Sequence, residues 1–237
     1  GLRGAGGRHP LMAARPNEAA ELYEQQVDDA IRFARREHAF FLAAKAEALL
    51  DLAERQLPRG PIRALDVGCG DGRLDAMLEP LGELHGVDVT PEMVAAAAET
   101  APHGRFQIAD GTRLPYGDGA FDLTFTVCAL HHVGPPERPA YLGELARVTR
   151  AGGLVVVFEH NPVNPLTRLV VSRCAFDEGV VLVGRRRLGR LAREAGLTVE
   201  ETRYILLFPW KRTPFRQVER GLARLPVGAQ YFLAARA

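Results

Sequence analysis

The run Leu65-Asp66-Val67-Gly68-Cys69-Gly70-Asp71-Gly72 constrains this chain more than any other feature. The strand-like segment Ile62 to Val67 leads into three glycines at alternate positions. Such a loop turns sharply and lets a ligand lie against main-chain atoms with no Cβ in the way, so a nucleotide-like ligand is expected. A dinucleotide loop spaces its glycines G-x-G-x-x-G. Here the third glycine comes one position early, and Arg73 stands where the dehydrogenase glycine would be. Asp66 also sets a carboxylate beside the loop, which suits a cationic amino-acid-like ligand better than a pyrophosphate.

Around this loop, short apolar runs alternate with amphipathic stretches. The runs are Ile62 to Val67, Leu84 to Val89, Phe106 to Ala109, Phe121 to Val127 and Leu154 to Phe158. Helix-like segments fall between them at Leu74 to Leu81, Pro91 to Glu99 and Glu137 to Thr149. A helix near Arg187 to Ala195 and strand-like Thr198 to Phe208 and Gln230 to Ala235 close the chain. Continuous apolar runs in a βαβ rhythm predict a doubly wound parallel sheet buried on both faces. Before it, Glu18 to Gln56 reads as helix, one or two, with Leu22, Ile31, Phe33, Phe40, Phe41, Leu49 and Leu52 recurring among charges. The expected division is a flexible tail over 1–17, a helical cover over 18–58 and the α/β domain over 59–237.

The 237 residues suffice for one such domain. A net charge of +1 leaves no footprint for nucleic acid. Three widely spaced cysteines, Cys69, Cys128 and Cys174, fit neither a disulfide framework nor a zinc site, which points to a reducing, cytoplasmic setting. No membrane span is expected, because no apolar stretch approaches the roughly 20 residues required, and Gly1 to Arg8 lacks the apolar centre of a secretion signal. The oligomeric state stays open.

Asp88 ends the second strand 22 residues after Asp66, where an acidic side chain can accept hydrogen bonds from both ribose hydroxyls. Loop, strand-end acid and βαβ order together are far more specific than the glycines alone. On these residues the chain resembles the class I S-adenosylmethionine-dependent methyltransferases of small molecules, from about Ile62 to Glu159, with Val87-Asp88-Val89-Thr90-Pro91-Glu92-Met93 matching the segment after their second strand. The resemblance implies a mostly parallel seven-stranded sheet whose last strand is antiparallel, and S-adenosyl-L-methionine as cofactor. It implies that Gly68, Gly70 and Gly72, with Asp66 and Cys69, line the methionine part, that Asp88 holds the ribose, and that Val89 and Met93 flank the adenine. By the same likeness Asp110-Gly111-Thr112 would meet the adenine amino group, with Leu114 near, and Cys128 would border the cofactor. From related small-molecule enzymes, the helical cover would build part of the acceptor pocket: Tyr23, Phe40 and Phe41 toward the substrate, Lys45 toward the cofactor carboxylate.

Methyl transfer needs the acceptor aligned with an already activated carbon, and a base only if the acceptor holds a proton. The fourth strand runs into Cys128-Ala129-Leu130-His131-His132, and the fifth ends in Phe158-Glu159-His160-Asn161. His132, and after it His131, is a candidate base near neutral pH. Glu159 could orient an acceptor hydroxyl or amine, His160 could take its proton, and Asn161 could touch the substrate. Glu159, His160 and His132 lack a recognised ligand spacing, so no metal is expected. Segments 161–184, read as a loop or lid, and 208–227 are expected to set substrate choice. The acceptor is a small molecule: a natural-product intermediate, a sugar or another metabolite. Two other readings remain at this point, an NAD(P)-dependent oxidoreductase and a cofactor-binding partner subunit without catalysis.

Overall fold

A computed structural model of the protein describes residue 25 and residues 38–109, 113–174, 177–206 and 225–237. Among the described residues seven strands form one sheet: β1 (Ile62–Val67), β2 (Gly82–Asp88), β3 (Arg105–Ile108), β4 (Phe121–Val127), β5 (Thr149–His160), β6 (Thr198–Ile205) and β7 (Gln230–Arg236). Their order is β3-β2-β1-β4-β5-β7-β6. β7 runs antiparallel to both neighbours, and the other pairings are parallel. The expected doubly wound sheet with an antiparallel last strand is therefore present. Its order reverses between β1 and β4, so their carboxyl ends diverge into the crevice where open α/β sheets bind ligands.

Among the described residues the strands are accompanied by α1 (His38–Gln56), α2 (Pro91–Thr100), α3 (Arg138–Val148), α4 (Pro165–Val171) and α5 (Arg185–Glu194). One face of the sheet packs against Leu142, Leu145 and Val148 of α3 and Leu188 and Leu191 of α5. The other packs against Leu42, Ala46, Leu49, Leu52 and Ala53 of α1 together with Leu74, Leu78 and Leu81. Leu49 and Leu52 are fully buried, each contributing about 1.5–3 kcal/mol relative to exposure. Over its described part, the helical cover is thus a layer of the sandwich itself.

Two local expectations are corrected. The segment Leu74 to Leu81, expected as helix after the glycine loop, forms two short 3-10 turns, Asp75–Met77 and Glu79–Leu81. Pro80 denies the backbone donor a continuous helix needs, and the leucines reach the core from either geometry. The stretch after β5, expected as loop, contains α4, which Asn164 caps by accepting from Leu166 N and Thr167 N, with Pro165 at the first helical position. Among the described residues no helix is long and apolar enough to cross a membrane.

Candidate functional site

The three glycines have different jobs. Gly68, Gly70 and Gly72 adopt φ of +87°, +53° and +74°, and the amides of Gly68 and Cys69 donate to Val87 O at 2.8 and 3.0 Å, folding the loop back over β2. A Cβ on Gly68 would meet that of Ala129 at 2.7 Å, and one on Gly72 would meet Ala97 Cα at 2.7 Å. Those two glycines allow close packing, whereas a Cβ on Gly70 would meet nothing within 4 Å, leaving a clear surface above the loop. Gly70 N donates to Asp88 Oδ2 (3.0 Å) and Thr90 N to Asp88 Oδ1 (2.9 Å). Each carboxylate oxygen keeps a further lone pair for a ligand hydroxyl. Beyond Asp88, Val89 is 63% exposed, an apolar shelf at the strand end, while Met93 and Cys69 are buried behind it.

Asp66 is buried at the end of β1, and its Oδ1 has no hydrogen-bond partner among the described residues. Burial, then the charges of Asp75 and Asp88, push its pKa well above the usual carboxylate range, and Lys45 opposes the shift. Lys45 is itself buried on α1, close enough to act on Asp66, Cys128 and His160. An orphaned buried carboxylate oxygen is costly unless a donor arrives. The ammonium of an amino-acid-bearing nucleoside is such a donor. With the clear surface at Gly70 and the free lone pairs of Asp88, these residues fit S-adenosylmethionine.

The carboxyl ends of β4 and β5 carry a second cluster. Cys128 leaves β4 at φ +54°, a left-handed conformation unusual outside glycine that turns the chain into the 3-10 turn Leu130–His132. His131 is buried there, its Nδ1 2.8 Å from Glu159 Oε2 and its Nε2 3.3 Å from Asp177 Oδ1. Burial disfavours its charge, but Glu159 and Asp177 more than offset this and hold the pKa at about 10. Burial opposes ionisation of Glu159 too, yet His131 keeps it below the usual range. His160 is pushed down to about 4 by burial and by charged His131. His132, with a side chain 45% exposed, lies 3.5 Å through Nε2 from the same Asp177 oxygen and is lowered by burial and His131.

The structure thus gathers residues that the sequence offered as separate candidates and corrects some of their roles. Glu159 is wholly buried and spends both oxygens on His131 N, His131 Nδ1 and His160 N, so it positions His131 and does not face an acceptor. His131, clamped between two carboxylates, is no free base. Asn161, expected at the substrate, is buried and donates both amide hydrogens to Pro226 O and Gly228 O while accepting from Val163 N, which ties the end of β5 to the start of β7. Phe41 is half-buried in a perpendicular pair with Phe40, ring centres 5.4 Å apart. Tyr23, Asp110, Gly111 and Thr112 lie outside the described residues. Sequence reasoning missed Asp177, which sits in a patternless stretch, and Arg138, whose buried guanidinium donates to Val133 O, His131 O and Val181 O and so fixes the histidine turn.

Comparison with known proteins bears on this geometry. Residues 65–157 match the model of the methyltransferase domain family. The chain is 30% identical over 142 residues to an uncharacterized methyltransferase of Synechocystis sp., covering 58% of this chain and 67% of that protein. It belongs to the class I S-adenosylmethionine-dependent methyltransferases. This methyltransferase is also 38% identical over 120 residues to the demethylmenaquinone methyltransferase of Thermus thermophilus, covering 48% of the chain and about half, 52%, of that enzyme. Among solved structures, an S-adenosylmethionine-dependent methyltransferase of Thermotoga maritima described as a possible histamine N-methyltransferase shares the fold. Its TM-score is 0.64 at 20% identity, over 91% of this chain and 98% of that one.

Proposed function

We propose that the protein transfers the methyl group of S-adenosylmethionine to a small-molecule acceptor. The observation carrying this reading is the orphaned oxygen of Asp66, buried beside the clear surface at Gly70 and one strand from Asp88. In that arrangement Asp66 receives the ammonium of the cofactor, Gly70 leaves room for its methionine portion, Asp88 accepts from the ribose, and Val89 supports the base. When bound, the cofactor supplies a methyl group already activated by a sulfonium. The chain's remaining task is to align the acceptor and keep water away.

The acceptor's place in this reading is the cluster beyond β4 and β5, where His132 is the exposed member and the half-buried His160 stands behind it. A cyclic acceptor bearing oxygen fits the polar lining, and the likeness to a demethylmenaquinone methyltransferase supports a quinol-like ring. The test is an assay with radiolabelled S-adenosylmethionine against hydroquinones, other phenols, sugars and amines, with mass analysis of the product. Label transfer to one acceptor class, abolished in Asp88→Ala, is expected. Absence of S-adenosylhomocysteine binding would remove the proposal.

A further inference from the structure

We infer that His131, His160, Asp177 and His132 form a binding site for one divalent transition-metal ion at the acceptor end of the crevice. His131, His160 and Asp177 each present a ligand atom, and these lie within 4.8 Å of one another. Zinc-like ions bind nitrogen and carboxylate oxygen at about 2.0–2.2 Å, so neighbouring ligand atoms on a tetrahedron stand about 3.4 Å apart. The His131 Nε2 to Asp177 Oδ1 distance is 3.3 Å, and the His132 Nε2 to Asp177 Oδ1 distance is 3.5 Å. Two edges of such a tetrahedron, meeting at Asp177 Oδ1, therefore already stand without an ion, and the His160 ligand atom lies within 4.8 Å of those of His131 and Asp177; the metal displaces the His131 Nε2 proton that Asp177 otherwise accepts.

The surroundings support the same reading. A metal-ligating histidine almost always gives its other ring nitrogen to a carboxylate or carbonyl, which fixes the ring and the tautomer. His131 has this partner in Glu159, at 2.8 Å from Nδ1, a buried carboxylate whose other bonds are to the backbone amides of His131 and His160. Beside His160, Gln230 Nε2 lies 3.4 Å from Nδ1, and a flip of that amide would turn its Oε1, without a partner among the described residues, onto the ring. Arg138, donating to His131 O and Val133 O, holds the turn that carries the ligands. A set rich in imidazole with one carboxylate suits zinc, cobalt, nickel or iron better than magnesium or calcium, which prefer all-oxygen shells. The exposed His132 marks the side of the site that faces solvent and the acceptor. The sequence hid the site because Asp177 follows His160 by 17 residues and His131 precedes it by 29, spacings that match no ligand motif.

This inference rests on the proposed function only for the acceptor; the site itself is tested apart from it. Tag-free full-length protein, stripped with a chelator, is dialysed against Co²⁺ and against Zn²⁺, and bound metal is counted by atomic emission. One ion per chain is expected, with the visible ligand-field bands of a four-coordinate cobalt site. Asp177→Asn and His160→Ala should lose the ion, and the exposed variant His132→Ala should bind more weakly without loss of fold. Glu159→Gln should lower affinity about 10–100-fold through the His131 ring. S-adenosylhomocysteine affinity, measured alongside by calorimetry, should stay at the wild-type value in Asp177→Asn and His132→Ala. Wild-type protein that retains no ion, or an Asp177→Asn variant that folds and binds as many, overturns the site. Failure of all forms to bind S-adenosylhomocysteine removes the cofactor reading and leaves the metal result standing.

Discussion

Replacing Asp66 by Asn separates a ligand-binding carboxylate from a structural one. The buried Oδ1 lacks a partner among the described residues and burial with the charges of Asp75 and Asp88 outweighs Lys45, so the negative charge is on balance unfavourable in the folded chain. Asn has the same shape and no charge to bury. The variant is expected to fold with a melting temperature equal to or above the wild type; each kcal/mol of relief raises it by about 2–4 °C for a chain of this size. Binding should move the other way. A hydrogen bond to a charged partner contributes about 1.5–3 kcal/mol, which at 1.4 kcal/mol per tenfold is a rise of about 10–150-fold in the dissociation constant for S-adenosylhomocysteine. Because folding raises the pKa of Asp66, the folded state holds that proton more tightly than the unfolded chain. Its destabilising effect is therefore present above the folded pKa and fades as pH falls, so the stability gap between variant and wild type should narrow in acid. Calorimetric titration and thermal melts at several pH values give all three quantities. An unchanged dissociation constant, or a loss of binding matched by an equal loss of stability, would refute the reasoning.

Gly70→Val should fold, at a cost of about 1–2 kcal/mol for its left-handed backbone, and lose cofactor binding, while Gly72→Ala should mainly destabilise because its Cβ meets Ala97 Cα at 2.7 Å; melts and calorimetry on the pair distinguish the two effects. Asn161→Ala removes two hydrogen bonds that join the end of β5 to the segment before β7 and one local bond from Val163 N, so a stability loss of about 2–4 kcal/mol is expected in urea titration with cofactor affinity little changed. Asp88→Asn should weaken S-adenosylhomocysteine binding about tenfold or more, and binding at wild-type strength would remove the ribose assignment.

How far the sequence could be read follows from the range of the forces involved. β1 and β4 carry continuous apolar runs flanked by turn residues, and both strands stand where those runs lie, Ile62–Val67 and Phe121–Val127. Leu74, Met77, Leu78 and Leu81 misled, because spacings of three and four residues bring side chains to one side in successive 3-10 turns as well as in an α-helix. The cofactor end of the crevice was legible because a glycine loop and a strand-end acid are local signals. At the other end, His131, Glu159 and His160 were visible as polar strand ends, but their division of labour was not. That division depends on Asp177, brought in by the turn after α4, and on the burial of Glu159, both products of tertiary packing. Asn161 looked like a substrate contact from its place in the chain, and only the return of β7 beside it supplied the carbonyls that occupy its amide.

A crystal structure of the protein with S-adenosylhomocysteine tests the account most directly. The amino group is expected on Asp66, the ribose hydroxyls on Asp88, and the sulfur directed toward His132 and His160. Electron density for the nucleoside at another edge of the sheet, or with its ribose away from Asp88, would contradict it.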